Sequence, residues 1–94
     1  MSMSQDAAET LGLQAISWLV AHDDLLPVFL GATGAGLDDL RAGVTDPAMQ
    51  GAVLDFLLMD DAWVTAFCDH VQIRYEDLAQ ARAALPGGEQ VHWT

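Results

Sequence analysis

The residues most able to do chemistry in this 94-residue chain are its carboxylates. Four adjacent acidic pairs punctuate it: Asp23–Asp24, Asp38–Asp39, Asp60–Asp61 and Glu76–Asp77. The third pair interrupts the apolar run LLMDDAWVTAFC, Leu57 to Cys68. Adjacent carboxylates in such surroundings can hold a divalent cation or divide the roles of general acid and base. An EF-hand, however, spaces its ligands D-x-D-x-DG and closes with a glutamate at the twelfth position, and none of these pairs has that context. No His or Arg accompanies them at a recurrent spacing that would suit proton transfer. Helix capping explains them more simply. An Asp ahead of an apolar helical run accepts hydrogen bonds from unpaired backbone N–H groups and complements the positive end of the helix dipole. We therefore expect Asp23, Asp46 and one of Asp60 and Asp61 to be structural caps.

The remaining nucleophiles and ligands are sparse. Cys68, Asp69 and His70 are consecutive, and consecutive residues on a helix point in different directions rather than at one reacting atom. Cys68 therefore reads as a core thiol. His22, His70 and His92 are scattered, with no i, i+4 pair to begin a zinc site. The glycines of GATGAG match neither a dinucleotide-binding fingerprint nor a P-loop, and the chain has no lysine. No nucleophile elbow or Ser/His/Asp pattern occurs. We expect no catalytic residue, no metal and no cofactor.

Composition narrows the function classes. Fourteen acids face three arginines, Arg41, Arg74 and Arg82, for a net charge of −11. That field repels phosphate backbones and anionic membrane surfaces, so direct nucleic-acid and membrane binding are disfavoured. Hydrophobic residues make up 52% of the chain, slightly above the usual share, which leaves apolar surface for a partner. No run approaches the roughly 18 apolar residues of a membrane span. MSMSQDAAET has neither the basic nor the apolar segment of a secretory leader. One cysteine and no disulfide suit a reducing compartment, so a cytoplasmic location is expected.

The elements that must position these residues are helices. Leu11, Ala15, Trp18 and Leu19 recur at helical spacing after Ser4 or Asp6, with Glu9 three residues after Asp6 in the manner of a capping box. A second helix is expected from Asp23, stopped by Gly31, Gly34 and Gly36, and a short turn follows around Leu37 to Ala42. Asp46–Pro47 is the clearest start signal, a cap followed by proline at the first helical position. The helix from Pro47 to Met59 is apolar nearly all round, with only Gln50 and Asp55 polar, and belongs in the middle of the core. A further helix carries Trp63, Val64, Phe67 and Val71, and a last one runs from Tyr75 to Leu85. Trp18, Trp63 and Tyr75 read as core.

A faint repeat relates the two halves. Laid against itself so that Leu19 meets Leu57, the chain also brings Asp23 onto Asp61, Phe29 onto Phe67, Asp39 onto Asp77 and Leu40 onto Leu78. Each half reads as long helix, acidic joint, short helix, acidic turn, which is compatible with a diverged internal duplication of a helix–joint–helix unit.

The stretches LLPVFLGATG, VLDFLLMDDAWVTAFC and ALPGGEQVHWT resemble a family of small α-proteobacterial proteins classed as a domain of unknown function. The resemblance covers nearly the whole chain. It implies a bacterial, cytoplasmic, helical protein whose closing GGEQVHWT belongs to the family pattern, and it carries no activity, cofactor or catalytic residue.

The expectation is thus a single all-α domain over residues 1–94, a compact bundle of five to six short helices with an ordered core at about 6–86 and a tail at 87–94. The tail places Val91, His92 and Trp93 beyond a glycine hinge, either folded back on the domain or presented to a partner. The expected role is a non-catalytic interaction or regulatory protein with an unidentified protein partner, a second copy of the chain among the candidates. The alternative is an acidic decoy that occupies the basic, nucleic-acid-binding surface of another protein.

Overall fold

A computed structural model describes residues 3–86, and they form six helices with no strand among them: α1 Gln5–Val20, α2 Leu26–Thr33, α3 Leu37–Ala42, α4 Pro47–Leu58, α5 Asp61–Val71 and α6 Tyr75–Ala84. Three facts of local sequence start the two longest helices. The Ser4 hydroxyl accepts from the Ala7 N–H at 3.1 Å and opens α1. Asp46 accepts from the Ala48 N–H at 3.0 Å and opens α4. Pro47 follows at the first helical position, where its missing N–H costs nothing. The expected Asp6–Glu9 box does not form, because Ser4 already supplies the cap and Glu9 instead accepts from the Gln5 side chain at 2.9 Å.

α1 and α4 are the central pair. α1 buries Ala8, Leu11, Ala15, Ile16, Trp18 and Leu19, and α4 buries Val53, Leu54, Phe56 and Leu57. α5 and α6 close the core with Val64, Phe67, Leu78, Ala81 and Leu85. α2 and α3 lie at its edge and insert one fully buried side chain each, Phe29 and Leu40. All of these residues belong to one hydrophobic cluster. The radius of gyration of 12.4 Å is that of a compact chain, about 12 Å for this length.

Two glycines inside helices set how closely the helices approach. A Cβ on Gly12 would meet Gln50 Cβ at 2.5 Å, so α1 crosses α4 with Gln50 lying directly over Gly12. Gln50 is consequently 2% exposed, whereas its polarity suggests an outward face. Its amide donates to the Val44 carbonyl at 2.8 Å, and its Oε1 has no hydrogen-bond partner among the described residues. Gly51 does the same for α6: a Cβ there would crowd Arg82 Nη1 at 2.8 Å and the Pro86 carbonyl oxygen at 3.2 Å.

The repeat is visible in the elements. At the offset that carries Leu19 onto Leu57, the start of α3 falls on the start of α6 and the end of α1 on the end of α4. Leu19 and Leu57, Phe29 and Phe67, and Leu40 and Leu78 are all fully buried. Asp39 accepts from the Gly36 N–H at 2.9 Å and Asp77 from the Arg74 N–H at 3.0 Å, the same bond at the start of α3 and of α6. In each case only half of a capping box exists, since neither glycine nor arginine offers a side-chain acceptor.

Two assignments are corrected. Asp23 does not cap α2: the cap position is Leu25, which makes no side-chain bond, and Asp23 lies in the preceding turn. The His22 carbonyl accepts from the Leu25 and Leu26 N–H groups, both at 3.0 Å, so a turn precedes the helix. The residue that corresponds to Asp60 is His22, and Asp23 corresponds to Asp61, which does not cap either. Tyr75 is not in the core. It is the first residue of α6 and 57% exposed, while Trp18 is buried and Trp63 half-buried.

Candidate interaction surfaces

The acidic joint at Asp60–Asp61 resolves into two different roles. Asp60 is extended and its Oδ1 accepts from the Ala62 N–H at 2.8 Å and the Trp63 N–H at 3.4 Å. Asp61 is the first residue of α5 and sits exposed near the helix N-terminus, where a negative charge opposes the helix dipole favourably. Asp46 caps α4 in the same way as Asp60 caps α5. Among the described residues no three His, Cys, Asp or Glu side chains gather where they could hold a metal ion.

Cys68 is buried on α5. Burial pushes its thiol above the ordinary value, and the nearby charges of Asp69 and Asp77 push it further the same way. A thiol held protonated is a poor nucleophile, so the C-D-H triplet does not assemble reactive chemistry at this sulfur.

The structure brings together residues that no spacing in the sequence announces. The first such set is a groove of about 390 Å³ between α1 and the end of α5, lined among others by Leu13, Ser17, Trp18, His22, His70 and Val71. His22 folds back at the end of α1. Its Nδ1 lies 2.6 Å from the Trp18 carbonyl oxygen and its ring 4.0 Å from the Trp18 ring. A carbonyl only accepts, so Nδ1 carries the proton and donates, which leaves Nε2 as the free position. Among the described residues no carboxylate lines this groove. A second cleft, about 330 Å³, lies nearer the start of α1 and is acidic, with Asp6 and Glu9 beside Thr10, Thr45 and Gln50. Leu13 lines both.

The second set is a clamp at the end of α6. Arg82 Nε and Nη2 donate to the two oxygens of Asp55 at 2.5 and 2.9 Å, and Nη1 donates to the Pro86 carbonyl at 3.0 Å. The Arg82 side chain is only 14% exposed. A planar guanidinium suits this fork, and an ammonium would not. The clamp fixes the last described residue, from which the chain leaves towards residues 87–94.

The third is an apolar edge. Phe29, Phe56 and Trp63 form an aromatic ladder across α2, α4 and α5, with centroids 5.3 Å apart at the first step, edge to face, and 4.6 Å at the second, stacked. Two apolar side chains close to this ladder in sequence are uncovered. Val28 is 48% and Met59, at the end of α4, 77% exposed. Of α2, LPVFLGAT, only Phe29 is buried. The remaining expected interaction residues, Val91, His92 and Trp93, lie outside the described residues.

Gly12 and Gly51 were the signals for the close crossings, because an isolated glycine in a helical pattern often marks a near approach. Nothing in the sequence pairs Arg82 with the distant Asp55, or His22 with His70.

A six-helix module with capped joints, one apolar cluster and an uncovered apolar edge is what these observations define. The chain belongs to the family described as Protein of unknown function (DUF3572), whose model matches residues 5–88. It is also similar to a Heme A synthase of Sinorhizobium fredii (strain NBRC 101917 / NGR234), 36% identical over 64 residues. That match covers 66% of this chain and 17% of the relative, so this chain spans only a small part of the relative's length. No solved structure matches. No helix among the described residues is long and apolar enough to cross a membrane.

Proposed function

We propose that this domain is a non-catalytic protein-interaction module, a small adaptor or regulator working in the cytoplasm, and that it meets its partner through the apolar edge at α2 and the end of α4. The observation that carries this reading is the exposure of Val28, next to the ladder residue Phe29 in sequence, and of Met59, in the link between the ladder residues Phe56 and Trp63. Exposed apolar side chains next to a rigid aromatic cluster offer burial without reorganisation, which is how interface anchors gain their energy. A partner with an apolar face, flanked by basic residues that match the acidic surroundings, fits this edge. The Heme A synthase likeness adds no activity to this reading, because it reaches only 17% of that protein.

The test places a photo-crosslinking residue at Val28, at Met59 and at the exposed Ala83 in the full chain within its native cells. One protein captured from Val28 and Met59 but not from Ala83, with the same yield when the irradiation is repeated in lysate at high salt, supports the proposal. Equal capture from all three positions, or none from the first two, overturns it.

The charge supports a second reading. Fourteen acids and no lysine suit a decoy that occupies the basic, nucleic-acid-binding surface of another protein. Such a complex weakens steeply with ionic strength, whereas an apolar interface does not. Irradiation at low and at high salt therefore separates the two.

A further inference from the structure

Among the described residues Gln50 Oε1 is the only buried side-chain oxygen or nitrogen without a hydrogen-bond partner. Its direction follows by elimination. Gln50 Nε2 donates to the Val44 carbonyl, and Cβ, Cγ and Cδ lie over Gly12. Neither Val44 nor Gly12 lines the acidic cleft near the start of α1, whereas Gln50 does. Oε1 is therefore the atom that Gln50 turns towards the cleft. We propose that this cleft binds a primary alkylammonium group, the end of a diamine or of a lysine side chain, held by Asp6, Glu9 and Gln50 Oε1. None of these residues belongs to the apolar edge at α2 and the end of α4.

The lining sets the ligand class. Asp6, Glu9, Thr10 and Leu13 share one face of α1 at helical spacing, and Thr45 and Gln50 complete the cleft from the link before α4 and from α4 itself. Two carboxylates attract a cation, and among the described residues neither is in an ion pair. Glu9 accepts from Gln5 through Oε2, which leaves its Oε1 open. The Thr10 hydroxyl is already donated to the Asp6 backbone carbonyl. A primary ammonium carries three N–H donors and no acceptor, one for each of Asp6, Glu9 and Gln50. Its methylenes run along Leu13, which is 42% exposed. A divalent metal ion gains nothing from that apolar wall. The chain has no lysine, so none of its own side chains supplies such a group. Oε1 is shielded from solvent, and rotation of the exposed side chains Thr10, Leu13 and Thr45 admits an N–H to it. Its desolvation is already complete, so the incoming bond meets no further cost on the protein side.

The experiment follows amide spectra of the full chain, the Gln50 side-chain amide included, at about 0.15 M salt. Three probes are added in turn: 1,5-diaminopentane, Nα-acetyl-lysine methylamide, and the diamine with both nitrogens fully methylated. Both primary amines should give saturable shifts gathered at Asp6, Glu9, Thr10, Thr45 and the Gln50 side chain. The methylated probe keeps the charge and has no N–H, so it should bind about tenfold or more weakly, the worth of a hydrogen bond to a charged group. Asp6→Asn and Glu9→Gln, both outside the core, should each weaken the primary amines about two- to fivefold. Gln50→Met keeps the bulk without the oxygen and should weaken them about tenfold; the probe comparison on the parent chain decides the matter even where this variant fails to fold. Whichever primary amine saturates first upholds the proposal and names the source, a free diamine or a lysine side chain. Equal binding of the methylated probe, an unmoved Gln50 side chain, or equal shifts at Asp38–Asp39 and Glu76–Asp77 overturn it. Calcium that gives the same shifts at lower concentration overturns it in favour of a metal site.

Discussion

Gly12→Ala tests the central packing of the molecule, and its effect can be worked from the structure. Alanine is the best helix former, and replacing a mid-helix glycine by it stabilises by about 1 kcal/mol when space allows. At Gly12 space does not allow it. The new Cβ would stand 2.5 Å from Gln50 Cβ, 2.9 Å from Cγ and 3.1 Å from Cδ, against about 3.5–4.0 Å for carbon atoms in contact. The atoms in the way are the root of the Gln50 side chain, so no rotamer change clears them. α1 and α4 must move apart by about 1 Å, and overpacking of this kind costs roughly 1–3 kcal/mol or more. Set against the helix gain, Gly12→Ala loses about 0–2 kcal/mol, centred near 1. Gly31, in α2, is the control. A Cβ there meets nothing within 4 Å, so Gly31→Ala keeps the gain of about 0.5–1 kcal/mol. Urea unfolding followed by far-ultraviolet circular dichroism should rank Gly31→Ala above the parent and the parent above Gly12→Ala. With a slope near 1 kcal/mol/M for a small domain, the two variants should differ by about 2 M in midpoint at unchanged slope. In the Gly12→Ala background, Gln50→Gly should recover stability and Gln50→Ala should not, since alanine keeps the offending Cβ. A Gly12→Ala protein that gains as much as Gly31→Ala would refute the close crossing of α1 and α4.

Three further outcomes follow from individual contacts. Asp60→Ala should cost about 1 kcal/mol in the same unfolding assay, whereas Asp61→Ala should cost only a few tenths, because Asp60 alone accepts the N–H groups of α5. Arg82→Lys should destabilise despite keeping the charge, by about 1 kcal/mol, because an ammonium cannot span both Asp55 oxygens and the Pro86 carbonyl; a loss that vanishes in high salt would instead reduce the clamp to a screened surface pair. Cys68 should resist thiol reagents at neutral pH under native conditions and react at once in urea. Its raised native value means the unfolded chain gives up the thiol proton first. Stability is therefore fully present below the unfolded value of about 8.5 and falls as pH rises above it, a slope that Cys68→Ala should remove.

The class of fold was legible because the signals are local. Helical spacing in α1, the Asp46–Pro47 start, and Phe67 and Leu78 at inward positions all depend on residues within one or two turns of each other. The first joint, between α1 and α2, failed because the His22 ring turns back to the Trp18 carbonyl and Asp23 lies in a turn ahead of the Leu25 cap position. The burial of Gln50 was not legible for a different reason. Its polarity predicts an outward face, but which face of an all-round apolar helix turns outward is decided by the neighbour that packs on it, and Gly12 left room for Gln50 to be covered. Tyr75 misled because an aromatic at the first position of a helix has no preceding turn to hold it over the core.

By itself the sequence determined that this chain is helical and where most helices start and stop, and it marked Asp46 and Asp60 as caps, since caps, turns and apolar periods act over a few residues. It also determined the net charge of −11. Only the tertiary structure decided which surfaces stay open. Arg82 meets Asp55 from two helices away, His22 and His70 share one groove, and Val28 and Met59 are left uncovered beside their aromatic ladder. Those outcomes depend on how closely whole helices approach, which two glycines and the volumes above them set, and no local pattern encodes that distance.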